Sequence, residues 1–303
     1  MMNNLLVTGG NGLVGKNIDV GNKPPSHELN LLDYTALKYY VQKHDIKEII
    51  HCAAKVGGVK ANKDFIFDFF SENLSMNANI LRVCKECNIQ KVSFILSTCI
   101  FPENANYPLT EDQINFGEPH STNYGYAYAK RMLYVGSKAL KEQYNIDTVC
   151  LIPTNLYGEN DYYNVDNGHV IPSLIHRMHI AKMNNEPMVI WGSGNAEREF
   201  LYAKDFSEII LNVHNNIEKF PQSMIVSNSI QVTIRELVFL IAKLMDYNGE
   251  IIFDKSKPEG IIRKPTNNTL FVEKFGEYKF TSLEQGLKNT INYFINNYDK
   301  LRK

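Results

Sequence analysis

Leu5-Leu6-Val7-Thr8-Gly9-Gly10-Asn11-Gly12-Leu13-Val14-Gly15 is a short, mostly apolar strand that runs straight into G-x-x-G-x-x-G. Glycines at this spacing permit a tight turn and let backbone amides approach a pyrophosphate at the start of a helix. The rest of the first half supports the same reading. Three more strand-like runs, Glu48–Ala53, Val92–Ser97 and Thr148–Pro153, alternate with amphipathic stretches at Tyr34–His44, Asn73–Cys87 and Tyr128–Tyr144. Nearly all-apolar strands separated by helices predict a parallel sheet covered on both faces, which is the Rossmann-like, doubly wound α/β class.

The second half reads as a smaller, partly interleaved substrate-binding domain. Helices are expected at Val170–Met183, from a capping box at Thr233-Ile-Arg-Glu236, and from Ser282, with a strand at Met188–Trp191. The segment Asp254–Thr269 reads as a loop. The expected division is residues 1–160 with return segments near 196–228, against 161–195 and 229–303.

The chain has 303 residues, 44% of them hydrophobic, which is enough for a large core. Lys and Arg number 32 against 33 acidic residues, so there is no general attraction to nucleic acid or anionic membrane. No apolar stretch is long enough to span a bilayer, and Met1–Gly10 does not read as a leader, so a cytoplasmic protein is expected. The five cysteines (Cys52, Cys84, Cys87, Cys99, Cys150) read as reduced thiols, and the lone C-x-x-C at Cys84 and Cys87 as structural. No residue set reads as a metal site.

From Gly15 to Asn30 there are only residues 16–29, interrupted by Pro24-Pro25, where such a sheet usually has a helix and a second strand. That strand's end normally distinguishes NAD from NADP. Lys23, Ser26 and His27 suit a 2′-phosphate and Glu28 suits a ribose diol; the residues leave both open.

Tyr124-Gly-Tyr126-Ala-Tyr-Ala-Lys130 contains Tyr-x-x-x-Lys. Four residues apart on a helix share a face, so the Lys130 ammonium is expected to lower the Tyr126 phenol toward neutral pH. Tyr126 would then exchange a proton with a carbonyl or alcohol oxygen that Ser97 holds in place. The plainer alternative makes both ordinary helix-surface residues.

With these motifs in view, the chain resembles the GDP-L-fucose synthase family of the extended short-chain dehydrogenase/reductases. The matching stretches include Ala53-Ala-Lys-Val-Gly-Gly58, Ser97-Thr-Cys-Ile-Phe-Pro102, Pro153-Thr-Asn-Leu-Tyr-Gly158, Gly168-His-Val-Ile-Pro172, Trp191-Gly-Ser-Gly194, Arg198-Glu-Phe200 and Lys257-Pro-Glu-Gly260. The resemblance implies an NADP-dependent epimerase and reductase acting on GDP-4-keto-6-deoxy-D-mannose, working as a homodimer. It implies Ser97, Cys99, Tyr126, Lys130 and His169 as catalytic residues. Cys99 is the epimerisation base, taken to point the same way as Ser97 on an extended segment, and His169 is the acid. Alone, Cys99 reads as a small buried hydrophobe and His169 as a helix-start hydrogen bonder.

The cofactor is implied to lie along Gly9, Gly10, Asn11, Gly12, Leu13, Val14 and Gly15, then Leu96, Ser97 and Thr98, Lys130, Pro153, Thr154, Asn155 and Leu156, and His169. The GDP-sugar is implied to meet Asn155, Arg177, Trp191, Arg198, Glu259 and Lys264. Rival readings are a GDP-colitose synthase, a GDP-mannose 3,5-epimerase-like enzyme, and a non-catalytic nucleotide-binding relative.

Overall fold

In a computed structural model, which describes residues 4–257 and 261–301, β1 (Leu5–Thr8) is followed by α1 (Tyr34–Lys43), β2 (Glu48–His51), α2 (Val59–Asp64), α3 (Ile66–Glu86), β3 (Lys91–Ile95), α4 (Tyr124–Tyr144) and β4 (Asp147–Pro153). The second half adds β5 (Asn155–Tyr157), α5 (Val170–Asn184), β6 (Met188–Trp191), β7 (Glu197–Tyr202), α6 (Ala203–Asn215), β8 (Ser223–Val226) and β9 (Gln231–Thr233). It ends with α7 (Ile234–Leu244), β10 (Ile251–Asp254), α8 (Thr269–Phe275) and α9 (Leu283–Asn296).

Five parallel strands form the main sheet in the order β1-β2-β3-β4-β8. One face is packed by Leu37 and Val41 of α1, Ile80 and Val83 of α3, and Leu133 and Leu140 of α4. The other is packed by Phe206, Ile209 and Ile210 of α6 and Phe271 of α8. Burial on both sides explains why these strands read as apolar runs; each fully buried Leu, Ile or Phe contributes about 1.5–3 kcal/mol. The fold is Rossmann-like α/β.

Where a helix and second strand were in doubt, there is neither. A single 3₁₀ turn, Gly15–Asn17, leads into a strap that touches the outer edge of β1 at one residue, Asn22, bridged to Leu6. The chain thus leaves β1 toward one side and returns at β2 on the other, so the switch of direction that places ligands in such sheets survives beside the glycine turn.

Helix starts follow local chemistry. Asp33 caps α1 by accepting from Ala36 N (3.0 Å), Thr233 and Glu236 form the expected capping box on α7, and Ser282 accepts from Gln285 N on α9. α4 begins four residues earlier than its pattern predicts. Gly125 packs so closely on Ile66 that an added Cβ would lie 2.6 Å from the Ile66 carbonyl oxygen, so tertiary packing recruits that first turn. A separate cluster joins Leu174, Ile175 and Met178 of α5, Leu237, Val238 and Ile241 of α7, and Leu287 and Ile291 of α9. Two small sheets accompany it, β5-β7-β9 and β10-β6. β10, a strand the sequence reading did not anticipate, ends at Asp254, where the segment read as a loop begins.

Candidate active site

The glycine turn, the loop after β2, Ser97 beyond β3 and Pro153–Asn155 at the end of β4 all lie at the carboxyl ends of the strands, where open α/β sheets hold ligands. Gly9 sits at φ +66, and a Cβ there would strike Ala53 N at 2.8 Å. A Cβ on Gly15 would meet the Gly9 carbonyl oxygen at 2.4 Å. The turn therefore needs glycine and leaves a backbone cradle that fits a pyrophosphate. The expected helix beyond it is reduced to the 3₁₀ turn, because the chain must double back into the strap at once.

Tyr126 stands in the first turn of α4 and Lys130 one turn later, with Lys130 Nζ 5.9 Å from the Tyr126 ring centroid. Lys130 is 2% exposed, and its ammonium donates to the Ile95 carbonyl at 2.9 Å. Burial lowers its pKa to about 8, against smaller raising effects of Cys52 and Cys150. The expected acidification of Tyr126 is not what this arrangement gives. Burial, and next the Cys99 thiol, hold the phenol above its usual value, and the Lys130 charge does not offset them.

Ser97 is extended (φ −158, ψ 151), but Thr98–Ile100 is a 3₁₀ turn that Ser97 caps, its Oγ accepting from Cys99 N at 3.2 Å. Cys99 therefore does not follow Ser97 on a strand, and its side-chain direction comes from the turn. Its sulfur lies within electrostatic range of Tyr126, Arg198 and Lys264. Lys264 donates to the Thr98 carbonyl (2.7 Å), and Arg198 to the Glu197 and Ile261 carbonyls (both 2.7 Å). Burial lowers the pKa of both cations.

His169 is the N-cap residue of α5, and its Nδ1 lies 3.4 Å from Asp161. Burial works against the imidazolium, but the Asp161 carboxylate outweighs it and raises the pKa above the usual 6.5. Arg177 and Trp191 line a cleft of about 520 Å³ with Lys60 and Asp166. Arg177 hydrogen-bonds the Val189 carbonyl, and Trp191 is 58% exposed. Asn155 is exposed and donates to the Glu199 carbonyl at 2.9 Å. Leu96 and Pro153 are buried, and Thr154 is buried with its hydroxyl unpaired at the end of β4. Glu259 lies outside the described residues.

Residues 5–227 match the model of the NAD dependent epimerase/dehydratase family. The chain belongs to that family. Among its members, the GDP-L-fucose synthase of Dictyostelium discoideum is 38% identical over 99% of this chain and 97% of its own length. The GDP-L-colitose synthase of Yersinia pseudotuberculosis is 39% identical over 96% and 98%. A crystal structure of a GDP-L-fucose synthetase from Naegleria fowleri bound to NADP superposes with a TM-score of 0.91 at 33% identity, covering 99% of this chain and 94% of that one.

This epimerase/dehydratase family member also carries groups that the sequence reading missed. Beneath the site, His51 is fully buried, with Nδ1 2.8 Å from Thr8 Oγ1 and Nε2 3.2 Å from Asn77 Oδ1. Asn77 in turn donates to the Ala129 carbonyl at 3.0 Å, so the network ties the glycine-turn strand to the helix of Tyr126 and Lys130. Burial, with the Lys130 charge, lowers the His51 pKa to about 3 and keeps it neutral. Asn73 clamps Lys55 through both its amide nitrogen (2.9 Å) and carbonyl (3.0 Å), fixing the loop after β2. Asp161 had no periodic signal; a carboxylate eight residues before a histidine becomes meaningful only when the loop between them closes.

Proposed function

We propose that the chain is a GDP-L-fucose synthase that uses NADPH to convert GDP-4-keto-6-deoxy-D-mannose to GDP-L-fucose. One observation carries the reading: Cys99 lies within electrostatic range of Tyr126 in a chain similar over 99% of its length to a GDP-L-fucose synthase. Ketone reduction needs Tyr126 and Lys130; a thiol near the same phenol adds what inversion of carbon requires.

The 4-ketone acidifies the protons on C3 and C5, so Cys99 removes a proton from one face and His169 returns one to the other. Arg198 and Lys264, gathered around Cys99, offset the negative charge that develops on the sugar. His169 suits the acid role because Asp161 favours its protonated form. NADPH, when bound, supplies the hydride that reduces C4. Tyr126 protonates the C4 oxygen; its raised pKa keeps the phenol protonated at neutral pH, the state that reduction needs. Ser97 holds the same oxygen and Lys130 the nicotinamide ribose.

The glycine cradle takes the pyrophosphate of the dinucleotide, flanked by Leu96, Thr98, Pro153 and Leu156. Arg177 and Trp191 bind the GDP moiety, with Glu259 contributing to that pocket and Asn155 holding sugar hydroxyls or the backbone around them. The cluster of α5, α7 and α9 is read as the substrate lobe. Exposed Phe67 on α3 and Met132 and Val135 on α4 are read as part of a homodimer face. Light scattering should give twice the 34.7 kDa chain mass. Among the described residues no helix is long and apolar enough to cross a membrane.

A coupled assay with the keto-sugar nucleotide should consume NADPH stoichiometrically and give GDP-L-fucose. Consumption without inversion at C3 and C5 would reduce the chain to a simple reductase, and no consumption would overturn the proposal. The similarity to GDP-L-colitose synthase supports a second reading on a 3-deoxy sugar; parallel kcat/KM values on the two keto-sugars separate the two.

A further inference from the structure

In a doubly wound sheet, the residue that ends the second strand lies against the glycine turn and meets the adenine-bearing ribose. Here that strand is one residue long. Asn22 pairs with β1 through both backbone groups: Val7 N–H donates to the Asn22 carbonyl at 2.9 Å, and Asn22 N–H to the Leu5 carbonyl at 2.7 Å. Lys23 follows at once, and its stem lies on the turn. A Cβ on Gly10 would stand 2.6 Å from Lys23 Cβ. The side chain is half-buried, folded over the strap with its ammonium donating to the Ile18 carbonyl at 2.6 Å. Pro24 and Pro25 restrict the backbone immediately beyond. The other candidates do not share this placement: Ser26 is exposed, and His27 and Glu28 lie side by side with side chains 80% and 62% exposed.

We infer that Lys23 binds the 2′-phosphate of the dinucleotide and sets the preference for NADP over NAD. The inference rests on the NADPH-dependent function proposed for the chain and adds the residue that enforces it. A carboxylate at the strand end suits a ribose diol, whereas an ammonium suits a phosphate dianion. The strap compresses the missing helix and strand into a few residues but keeps this decisive position. Lysine is a point charge on a flexible stem, so rotation of its terminal torsions exchanges the Ile18 carbonyl for a phosphate without moving the strap.

Calorimetric titration of the full chain with NADP⁺ and NAD⁺ tests this, alongside Lys23→Met, which keeps the stem on Gly10 and removes only the charge. The wild type should favour NADP⁺. In Lys23→Met the NADP⁺ Kd should rise roughly 10- to 100-fold, as expected for loss of a charge-assisted hydrogen bond, while the NAD⁺ Kd stays put. Unchanged NAD⁺ binding also shows that the turn is intact, and 2′,5′-ADP should follow NADP⁺ where 5′-AMP follows NAD⁺. Equal weakening of both dinucleotides, no weakening of NADP⁺, or a wild type that favours NAD⁺ would overturn the assignment. A wild type that binds neither dinucleotide would overturn the reductase reading itself, a result visible before any variant is made.

Discussion

Lys130→Met should make this protein more stable while removing its reductase activity. An ammonium that is 2% exposed, with a pKa of about 8 against the ordinary 10.5, is held charged at neutral pH against its surroundings. The difference of about 2.5 units, at about 1.4 kcal/mol each, makes the buried charge cost about 3 kcal/mol. Removing it also strips the Ile95 carbonyl of its donor, which costs about 1–2 kcal/mol. The net gain is about 1–2 kcal/mol, a rise in Tm of about 2–6 °C.

The pH dependence separates this cause from better packing. The folded pKa lies below the unfolded one, so between pH 8 and 10.5 the folded wild type binds fewer protons than the unfolded chain and gains stability as pH rises. The advantage of Lys130→Met is therefore full below pH 8 and fades toward pH 10.5. Thermal melts of the cofactor-free proteins at pH 7 and pH 10 measure both effects. A variant that melts below wild type at pH 7, or a gap that does not change with pH, would refute the reasoning.

Three further outcomes are expected. Cys99→Ser should cut solvent deuterium uptake at C3 and C5 of the keto-sugar by about 100-fold or more, read by NMR, since a hydroxyl is a far weaker acid than a thiol; undiminished uptake removes Cys99 from the epimerisation. Asp161→Asn removes the carboxylate that raises the His169 pKa and leaves burial to lower it. A step that needs protonated His169 should then lose rate at lower pH than in wild type, and a pH–rate profile with an unmoved alkaline limb would show that His169 is not the acid. Gly9→Ala places a Cβ 2.8 Å from Ala53 N at φ +66; a loss of about 1–2 kcal/mol in stability and at least tenfold weaker NADPH binding by fluorescence titration should follow.

The first half of the fold is legible because both faces of β1–β4 are buried, so apolar runs and turns mark every strand. Gly9, Ser97, Tyr126 and Lys130 stand at strand ends or on a helix, where spacing alone suggests which elements carry them. In the second half, β5 and β9 are three residues each, and β7 pairs with both, parallel to one and antiparallel to the other. Such pairing is decided by contacts distant in sequence, and no periodicity announces it. Cys99 looks extended in the sequence because a three-residue 3₁₀ turn leaves no pattern. The Tyr126 phenol looks acidified because spacing gives its distance from Lys130 but says nothing of how deeply both are buried.

Shortening the first βα unit would ordinarily leave a parallel sheet with a bare flank, a template onto which another molecule can add a strand. The strap closes it with little material. Asn22 takes up two backbone groups of β1, and the Pro24-Pro25 pair that follows carries no amide hydrogens to continue a ladder in either direction. The segment that trims the domain thus also guards its rim against runaway self-association.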